Sequence, residues 1–249
     1  MLIFLGDSIN LGVELVQETG ELTPESFDHK TKIKNYWNPK LSRLDLAYPE
    51  LMSQELKLDY VTLARGGATY AYSLRSLQKY IAKENPPKGS TVFLDTAHCG
   101  RAYLVDAGNM GIEHQVFWEM PATAKEQGRK EGFTIHESTL EMLDKPGVLE
   151  FLQRITPYYN LQALRHIRDT CKIHGYNFLF CEIFEGLYSG SLDMDPSPSK
   201  QIADLQPHEI FNSDKYKNNP DYRYGGHISV LGNQEIAKDL SAWYRENIC

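Results

Sequence analysis

The chain opens with the stretch that decides its fold, Leu2-Ile3-Phe4-Leu5-Gly6-Asp7-Ser8-Ile9-Asn10-Leu11-Gly12. Its four consecutive apolar residues predict a short buried strand, and Gly6 permits a tight turn after it. A hydroxyl at Ser8 would then lie at the carboxyl edge of a sheet, where open α/β folds bind ligands. It would also lie beside free N–H groups at a helix start. Ser8 is therefore a candidate nucleophile, although a helix-capping role for Asp7 or Ser8 explains the same residues.

Size and composition limit the classes of protein to consider. The 249 residues suffice for one large α/β domain, and we predict a single domain over residues 1–249. A net charge of −7 gives the molecule as a whole no basic surface for nucleic acid or an anionic membrane. No apolar run approaches the roughly 20 residues that cross a bilayer. We therefore expect neither a nucleic-acid partner nor a membrane span.

The cysteines and the start of the chain bear on its compartment. The four cysteines, Cys99, Cys171, Cys181 and Cys249, are scattered and form no C-x-x-C pair. This spacing argues against a zinc site or a disulfide framework and is typical of a reducing compartment. No basic residue precedes the first apolar run, so we expect no signal peptide. The sequence predicts a cytoplasmic protein and indicates no oligomeric state.

Strand and helix patterns alternate about four times along the chain. The predicted strands are Leu2–Leu5, Asp59–Ala64, Ser90–Asp95 and Tyr176–Ile183, and the predicted helices are Ile9–Val16, Pro49–Leu56, Tyr70–Glu84, Tyr159–Lys172 and one capped by Ser229. This alternation predicts an α/β fold, with a mainly parallel sheet covered by helices on both faces. A surface excursion is predicted from Glu21 to Tyr48. Two long loop insertions, about 101–157 and 187–226, follow strands whose ends should flank Ser8, so we expect them to build the substrate pocket.

A hydroxyl nucleophile needs a base, and the base needs an orienting partner. Among eight histidines, His227 follows a Gly-Gly turn and precedes the last helix, from where it can return to the edge that carries Ser8. Gly66-Gly67 follows the second strand, where bare backbone can aim an N–H at a ligand; an ordinary turn explains it equally well. His98 ends the third strand and can donate to an oxyanion or serve as a core-edge histidine. Cys99 is better explained as a buried inert thiol.

Three motifs, taken together and in this order, resemble the GDSL/SGNH hydrolase superfamily. Phe4-Leu5-Gly6-Asp7-Ser8 looks like its first block, Thr62-Leu63-Ala64-Arg65-Gly66-Gly67-Ala68-Thr69 is similar to the Asn-x-Ala-x-Gly-Gly-Ala-Thr form of its second, and Gly226-His227-Ile228-Ser229-Val230-Leu231-Gly232 resembles its closing block. The resemblance implies a flavodoxin-like three-layer αβα sandwich that needs no metal or organic cofactor. It makes Ser8 the nucleophile and an oxyanion donor through its N–H, and His227 the general base. Gly67 becomes the second backbone donor, with Gly66 as the alternative.

The chain departs from the superfamily pattern at two positions. The third block ends Gly-x-Asn-Asp in the family, whereas Thr96-Ala97-His98-Cys99 places His98 at the oxyanion-binding Asn. A neutral imidazole can donate one N–H, so this role would depend on pH. The closing block has Asp three residues before its histidine, where this chain has Tyr224. Asp221 is the candidate acid if its loop bends suitably. Otherwise a backbone carbonyl orients a Ser–His dyad, and the missing acid can cost several orders of magnitude in rate.

The sequence therefore predicts a serine esterase that acts through a Ser8 acyl-enzyme on a small-molecule or glycan ester, such as a carbohydrate O-acetyl or short acyl ester. The 15 tyrosines and 3 tryptophans suit a sugar-bearing substrate. Two alternatives stay open. One is a catalytically weakened or inactive binding module of the same fold. The other is an acyltransferase using the same Ser–His pair, because both reactions share the acyl-enzyme. Nucleotide binding is disfavoured, because the chain has neither G-x-x-x-x-G-K-[ST] nor a strand followed by G-x-G-x-x-G.

Overall fold

The computed structural model describes residues 1–6, 12, 15, 19, 43–64, 68–95, 101–105, 113–117, 145–182, 210–212, 215–216, 219–224 and 227–249. The strands in these ranges are β1 (Leu2–Leu5), β2 (Tyr60–Thr62), β3 (Thr91–Asp95), β4 (Arg101–Val105), β5 (Glu113–Phe117), β6 (Asn177–Glu182), β7 (Ile210–Asn212), β8 (Arg223–Tyr224) and β9 (His227–Ile228). The α-helices are α1 (Tyr48–Leu56), α2 (Tyr70–Glu84), α3 (Val148–His174) and α4 (Val230–Asn247). Short 3-10 turns occur at Leu44–Leu46 and Pro220–Tyr222.

Five strands form one parallel sheet in the order β2-β1-β3-β6-β7. This is the flavodoxin-like order of a doubly wound α/β fold. The chain goes from β1 outward to β2 and then crosses back to β3, so the strand order reverses between β1 and β3. Ligands of such sheets bind at the carboxyl ends of the strands that flank this switch point. The predicted fold class is confirmed, and the sheet places the end of β1 where ligands of this fold bind.

Helices cover both faces of the sheet. Ile3 and Leu5 of β1 point towards α2 and α3, whereas Leu2 and Phe4 point towards α1 and α4. All four side chains have no exposed surface, as expected for a parallel strand covered on both sides. Each contributes about 1.5–3 kcal/mol through burial, in proportion to the apolar surface removed from water. The continuous apolar run of β1 is therefore the centre of a three-layer sandwich.

Helix α3 is the largest departure from the predicted elements. It begins at Val148, eleven residues before the predicted start at Tyr159, so the last ten residues of the predicted 101–157 insertion are helical. Pro157 lies inside this helix, although a proline in a helix interior removes one N–H donor and adds a steric conflict. Here the apolar face from Leu161 to Cys171, which packs on the sheet, anchors the helix and overrides that cost.

Both predicted loop insertions also contain strands. In the first, β4 and β5 pair as an antiparallel hairpin, and β4 contacts α3. In the second, β7 adds a fifth parallel strand beside β6. A three-residue strand is too short to show a pattern among the polar residues that surround it. The weakly helical piece predicted near 139–144 lies outside the described residues.

Two further sequence predictions are met in part. Leu15 and Thr19 are helical, whereas most of the predicted Ile9–Val16 helix lies outside the described residues. The surface excursion predicted from Glu21 to Tyr48 extends too far along the chain, because Arg43, Leu44 and Tyr48 are buried. The side chain of Arg43 forms a two-point ion pair with Asp45, with N–O distances of 2.7 and 2.5 Å. This pairing allows a buried arginine near the start of α1.

None of the helices in the described ranges is both long and apolar enough to cross a membrane. The cytoplasmic location stays a prediction, as does the single-domain organisation. Two of the four cysteines, Cys171 and Cys181, are buried, and Cys249 is exposed. Burial raises the pKa of the Cys171 thiol to about 12. Cys171 is therefore an inert core residue, while Cys99 lies outside the described residues.

Candidate active site

The carboxyl ends of β1 and β3 lie side by side at the switch point. Leu5 and Leu94 are register partners, so Gly6 follows β1 beside Asp95, the last residue of β3. Gly6 is buried and has φ 144°, a conformation that side chains of L-residues rarely adopt. The turn predicted at Gly6 is therefore present. Asp7 and Ser8 follow Gly6 directly in the sequence and lie outside the described residues.

The second motif is bracketed by described residues at the end of β2. The N–H of Leu63 donates to the carbonyl of Phe4 at 2.8 Å, which continues the pairing of β2 with β1 beyond the last strand residue. Ala64 and Ala68 are both buried. Gly66 and Gly67 lie between these two alanines and outside the described residues. The flanks of the motif therefore stand at the carboxyl edge, next to the end of β1.

His227 lies in a small hairpin formed by β8 and β9. The two strands pair antiparallel, with Tyr224 opposite His227 and Arg223 opposite Ile228. Gly225 and Gly226 join the strands in sequence, and a Gly-Gly pair is typical of a two-residue hairpin connection. The residue at the superfamily's acid position, Tyr224, is thus the register partner of the predicted base.

Glycine at position 232 allows this hairpin to pack on the start of α4. A Cβ atom at Gly232 would lie 2.5 Å from the carbonyl oxygen of Tyr222 and 2.6 Å from a methyl group of Ile228. The same carbonyl of Tyr222 accepts the N–H of Ser229 at 3.0 Å. Gly232 corresponds to the closing glycine of the third motif, and this close approach gives that glycine a physical reason.

Contacts between α1 and α4 place His227 at the same edge of the sheet as Gly6. Helix α1 leads into β2 through Asp59, whose carbonyl accepts the N–H of Leu2 at 2.8 Å, so α1 ends at the amino edge and begins at the carboxyl edge. The side-chain Oδ1 of Asn233, in the first turn of α4, accepts the N–H of Tyr48 at 2.9 Å. The opposite ends of the two helices are joined by Arg245 and Glu55 at 2.9 Å. His227, three residues before α4, therefore lies at the carboxyl edge.

Asn233 also fixes the backbone next to His227. Its Nδ2 donates to the carbonyls of Ile228 at 3.3 Å and Ser229 at 3.0 Å. The Ser229 hydroxyl accepts the N–H of Gly232 at 3.1 Å and donates to the carbonyl of Asp221 at 2.7 Å. The predicted capping role of Ser229 is confirmed. Sequence reasoning missed Asn233, although an amide on the inward stripe of an amphipathic helix is a detectable signal.

The orientation of the His227 ring suits a general base. The residue is half-buried, and its Nδ1 atom is buried. The Nδ1 edge of the ring therefore points into the protein. In a neutral histidine with its proton on Nδ1, Nε2 carries the lone pair that accepts a proton.

Of the predicted orienting acid, Asp221, and the predicted oxyanion donor, His98, only Asp221 belongs to the described residues. Asp221 is exposed and stands in the Pro220–Tyr222 turn, where its N–H donates to the side chain of Asn219 at 3.0 Å. Its assignment as the acid stays a prediction. His98 lies outside the described residues, and its oxyanion role stays a prediction too. Asp95, which sequence reasoning passed over, is a buried acid, detectable as a carboxylate that ends an apolar strand.

The described part of the chain contains no group of three or more His, Cys, Asp or Glu side chains that could hold a metal ion. The expected lack of a cofactor stays an expectation from the superfamily resemblance. The chemistry that the described groups can perform is proton transfer at His227, together with hydrogen bonding from the backbone at the ends of β1 and β2.

No protein-family model and no curated protein matches the chain. Solved structures do match it. A family two carbohydrate esterase from Clostridium thermocellum, in complex with cellohexaose, is 13% identical, with a TM-score of 0.47 over 98% of this chain and 63% of the esterase. An acetyl xylan esterase from the rumen bacterium Butyrivibrio proteoclasticus is 11% identical, with a TM-score of 0.48 over 98% of this chain and 63% of the enzyme.

A lipolytic protein of the G-D-S-L family from Desulfitobacterium hafniense is 9% identical, with a TM-score of 0.45 over 97% of each chain. The chain thus spans about 63% of the two esterases and nearly all of the lipolytic protein. At such identities and TM-scores, these matches transfer no residue role and no substrate.

Proposed function

We propose that this chain is a serine hydrolase that cleaves a carboxylic ester, with Ser8 as nucleophile and His227 as general base. The observation that carries the proposal is the position of His227. The closing hairpin lies at the carboxyl edge of the sheet, and β1 leads into Gly6-Asp7-Ser8 at that same edge. This supports the proposal, because a histidine from the end of the chain lies at the edge where β1 ends, three residues before Ser8 in the sequence.

The proposed reaction proceeds through an acyl-enzyme. Nε2 of His227 takes the proton of the Ser8 hydroxyl while its oxygen forms a bond to the carbonyl carbon, and the π electron pair moves to the carbonyl oxygen. The pair returns, the bond to the alcohol breaks, and the leaving alcohol takes the proton from His227. Water then attacks the acyl group in the same way, which releases the acid and restores Ser8.

Three donors are proposed for the negative oxygen of the intermediate. They are the N–H groups of Ser8 and Gly67, or of Gly66 in the alternative register, and a ring N–H of His98. Donors aimed at developing charge in a site shielded from water stabilise the transition state, each by about 3–4 kcal/mol in enzymes of this type. The buried Ala64 and Ala68 support this assignment, because they hold the flanks of the glycine pair beside β1.

The proposed substrate is a carbohydrate O-acetyl ester or another short acyl ester of a small molecule or glycan. Helix α3 supports a sugar-bearing substrate. Its 27 residues extend over about 40 Å, and among its described side chains those in the apolar core on the sheet begin at Leu161. The first half continues past the carboxyl edge and exposes the rings of Phe151, Tyr158 and Tyr159. Exposed aromatic rings can stack on the apolar faces of sugars.

An activity-based probe tests the proposal. A fluorophosphonate should label the chain at Ser8, and Ser8→Ala should abolish the labelling, whereas Ser76→Ala on α2 should retain it. His227→Gln should lower the labelling rate and the hydrolysis of p-nitrophenyl acetate by roughly 10³-fold or more, because the hydroxyl then lacks its base. Labelling at another residue, or equal labelling of Ser8→Ala, would refute the assignment.

The same assays separate the two alternatives. Binding of an acetylated oligosaccharide with neither labelling nor turnover would favour an inactive binding module. The register of Tyr224 opposite His227 gives this alternative its structural support, since a tyrosine stands where the superfamily has its acid. Transfer of the acetyl group to an added alcohol, in preference to water, would favour an acyltransferase with the same Ser–His pair.

A further inference from the structure

Two consecutive residues between β7 and the closing hairpin bind the same carboxylate of α4. The hydroxyl of Tyr216 donates to Oδ2 of Asp239, and Nζ of Lys215 forms an ion pair with the same oxygen. The Lys215 ammonium also lies 4.9 Å from the centre of the Tyr216 ring. The chain that returns from β7 is therefore attached to α4 before it reaches the hairpin that carries His227.

The hydrogen bond from Tyr216 is the stronger part of this attachment. Tyr216 is fully buried, so its hydroxyl needs a partner inside the protein, and a hydrogen bond to a charged acceptor is stronger than one between neutral groups. The side chains of Lys215 and Asp239 are 43% and 33% exposed. An ion pair between such partly exposed groups contributes less, because water screens it.

Tyr216 reaches the hairpin through Tyr222. The two rings lie with their centroids 5.8 Å apart, and both belong to the cluster that contains Ile228, the residue after His227. Tyr222 directly precedes β8, and its carbonyl accepts the N–H of Ser229 at 3.0 Å. A continuous series of contacts thus leads from Asp239 through Tyr216 and Tyr222 to both strands of the hairpin.

The hairpin is held at two points on one face of α4. Its first contact is at Gly232, where the carbonyl of Tyr222 approaches the helix. Asp239 follows Gly232 by seven residues, which is close to two helical turns, so the two positions share a face about 10 Å apart along the axis. Strands β8 and β9 have two residues each, and a hairpin this short is not stable by itself. A second attachment two turns along the helix restrains it from pivoting about the first.

We propose that Tyr216 is a positioning residue for His227, held in place by the carboxylate of Asp239. Tyr216 acts through Tyr222 and the hairpin and does not touch the substrate. Its effect on rate rests on the function proposed above, in which His227 is the general base. A base must lie within hydrogen-bond reach of the proton that it takes, and a displacement of about 1 Å can lower the rate about 10²-fold.

The kinetic test uses the whole chain and compares Asp239→Ala with Glu235→Ala. Glu235 lies one turn earlier on α4, is 24% exposed and also pairs with a lysine, but both members of that pair lie on α4. With p-nitrophenyl acetate, Asp239→Ala should lower kcat about 10–100-fold and leave KM within about twofold. Glu235→Ala should leave both constants unchanged.

Tyr216→Phe tests the hydroxyl itself, because it keeps the ring against Tyr222. It should lower kcat in the same way as Asp239→Ala. The double variant should lose at most about twofold more than Asp239→Ala alone, since both substitutions remove the same hydrogen bond. Tyr244→Phe is the matched control, because Tyr244 is a tyrosine of the same cluster, 7% exposed. It should leave kcat unchanged.

Nitrogen-15 spectra of the imidazole rings report the position of His227 without requiring activity. The His227 signals are assigned by their loss in His227→Gln. We expect Asp239→Ala and Tyr216→Phe to change their chemical shifts or to add a second set, because the hairpin can then pivot. Glu235→Ala and Tyr244→Phe should leave the His227 signals as they are in the unsubstituted chain.

Several outcomes would overturn the proposal. They are unchanged His227 signals in folded Asp239→Ala or Tyr216→Phe, an equal loss of kcat in Asp239→Ala and Glu235→Ala, and a double variant whose loss is the product of the single losses. If Asp239→Ala does not fold, Tyr216→Phe decides, since it removes one hydroxyl only. Labelling of Ser8 is measured separately. A chain that is not labelled refutes the hydrolase function, while the His227 signals still decide the role of Tyr216.

Discussion

At the scale of single residues, Asn233 connects stability to the site. Its three hydrogen bonds join the start of α1 to the two carbonyls that follow His227, and it is 1% exposed. Helix α1 has no side-chain cap from its own N-cap residue, Ala47. The side chain of Asn233 therefore supplies from another helix the acceptor that an N-cap residue normally provides.

We expect Asn233→Ala to lower the free energy of unfolding by about 1–3 kcal/mol, because it removes the acceptor of the buried Tyr48 N–H and the amide donor to the Ile228 carbonyl. Urea denaturation measures the change as a lower midpoint at constant slope. Asn247→Ala on the same helix is the matched control. Asn247 is exposed and donates to the carbonyl of Trp243 at 2.8 Å. Equal midpoints for the two variants would contradict the role assigned to Asn233.

Single residues also show how far the sequence specifies the site. Ser229 as a cap and Gly6 as a turn follow from local rules on caps and on positive φ, and both are present. The location of His227 at the carboxyl edge of the sheet, where β1 ends, follows from the strand order, and the alternation of strands and helices in the sequence predicts that order. Asn233 carries a local signal, because it is an amide on the inward stripe of a helix, but that signal does not identify Tyr48, its hydrogen-bond partner 185 residues earlier in the sequence.

At the scale of elements, local amphipathicity predicted the helices with a clear core-facing stripe. Helix α2 occupies Tyr70–Glu84, as predicted, and α4 begins after its predicted cap. The first half of helix α3 and the whole of strand β7 were missed for different reasons. The first half of α3 precedes the stripe of described core residues that begins at Leu161, while β7 is held by its pairing with β6. Tertiary context decides such segments.

The projecting half of α3 leads to a prediction about substrate size. If its exposed rings bind sugar, Phe151→Ala combined with Tyr159→Ala should raise KM for an acetylated oligosaccharide about tenfold, since sugar–aromatic contact contributes on the order of 1–2 kcal/mol. The KM for p-nitrophenyl acetate should not change, because that ester is too small to reach these rings. Steady-state kinetics on both substrates measures the difference.

Ile173→Ala is the control for this pair of substitutions. Ile173 is the most exposed large apolar residue among the described side chains of α3, at 80%, and stands at the opposite end of the helix, by the amino edge. Its loss should leave both KM values unchanged. A similar rise in KM for the small ester after the double substitution would show that the rings act on the fold of the site rather than on sugar binding.

At the scale of the whole molecule, the two ends of the chain complete the same core. Leu2 and Phe4 of β1 belong to the same buried cluster as Ile236 and Leu240 of α4, and Phe4 stacks on Phe93, whose ring contacts Trp243 of α4. The first strand is therefore covered on one face by the last helix. The order of elements along the chain predicts that the first strand and the last helix belong to one sandwich. It does not predict that α4 contacts α1 and β3, because those contacts depend on how bulky aromatic rings pack together.

This arrangement predicts the effect of removing α4. A chain that ends at Ile228 should expose the apolar face of β1 and β3 and lose cooperative thermal unfolding, while binding 8-anilinonaphthalene-1-sulfonate as loosely packed states do. A chain that lacks Cys249 alone should melt like the full chain, because Cys249 is exposed. Near-ultraviolet circular dichroism and dye fluorescence distinguish the outcomes. A sharp melt without dye binding in the shorter chain would show that the sheet and the other three described helices form a sufficient core. In that event, α4 would serve mainly to carry His227 to the edge where β1 ends.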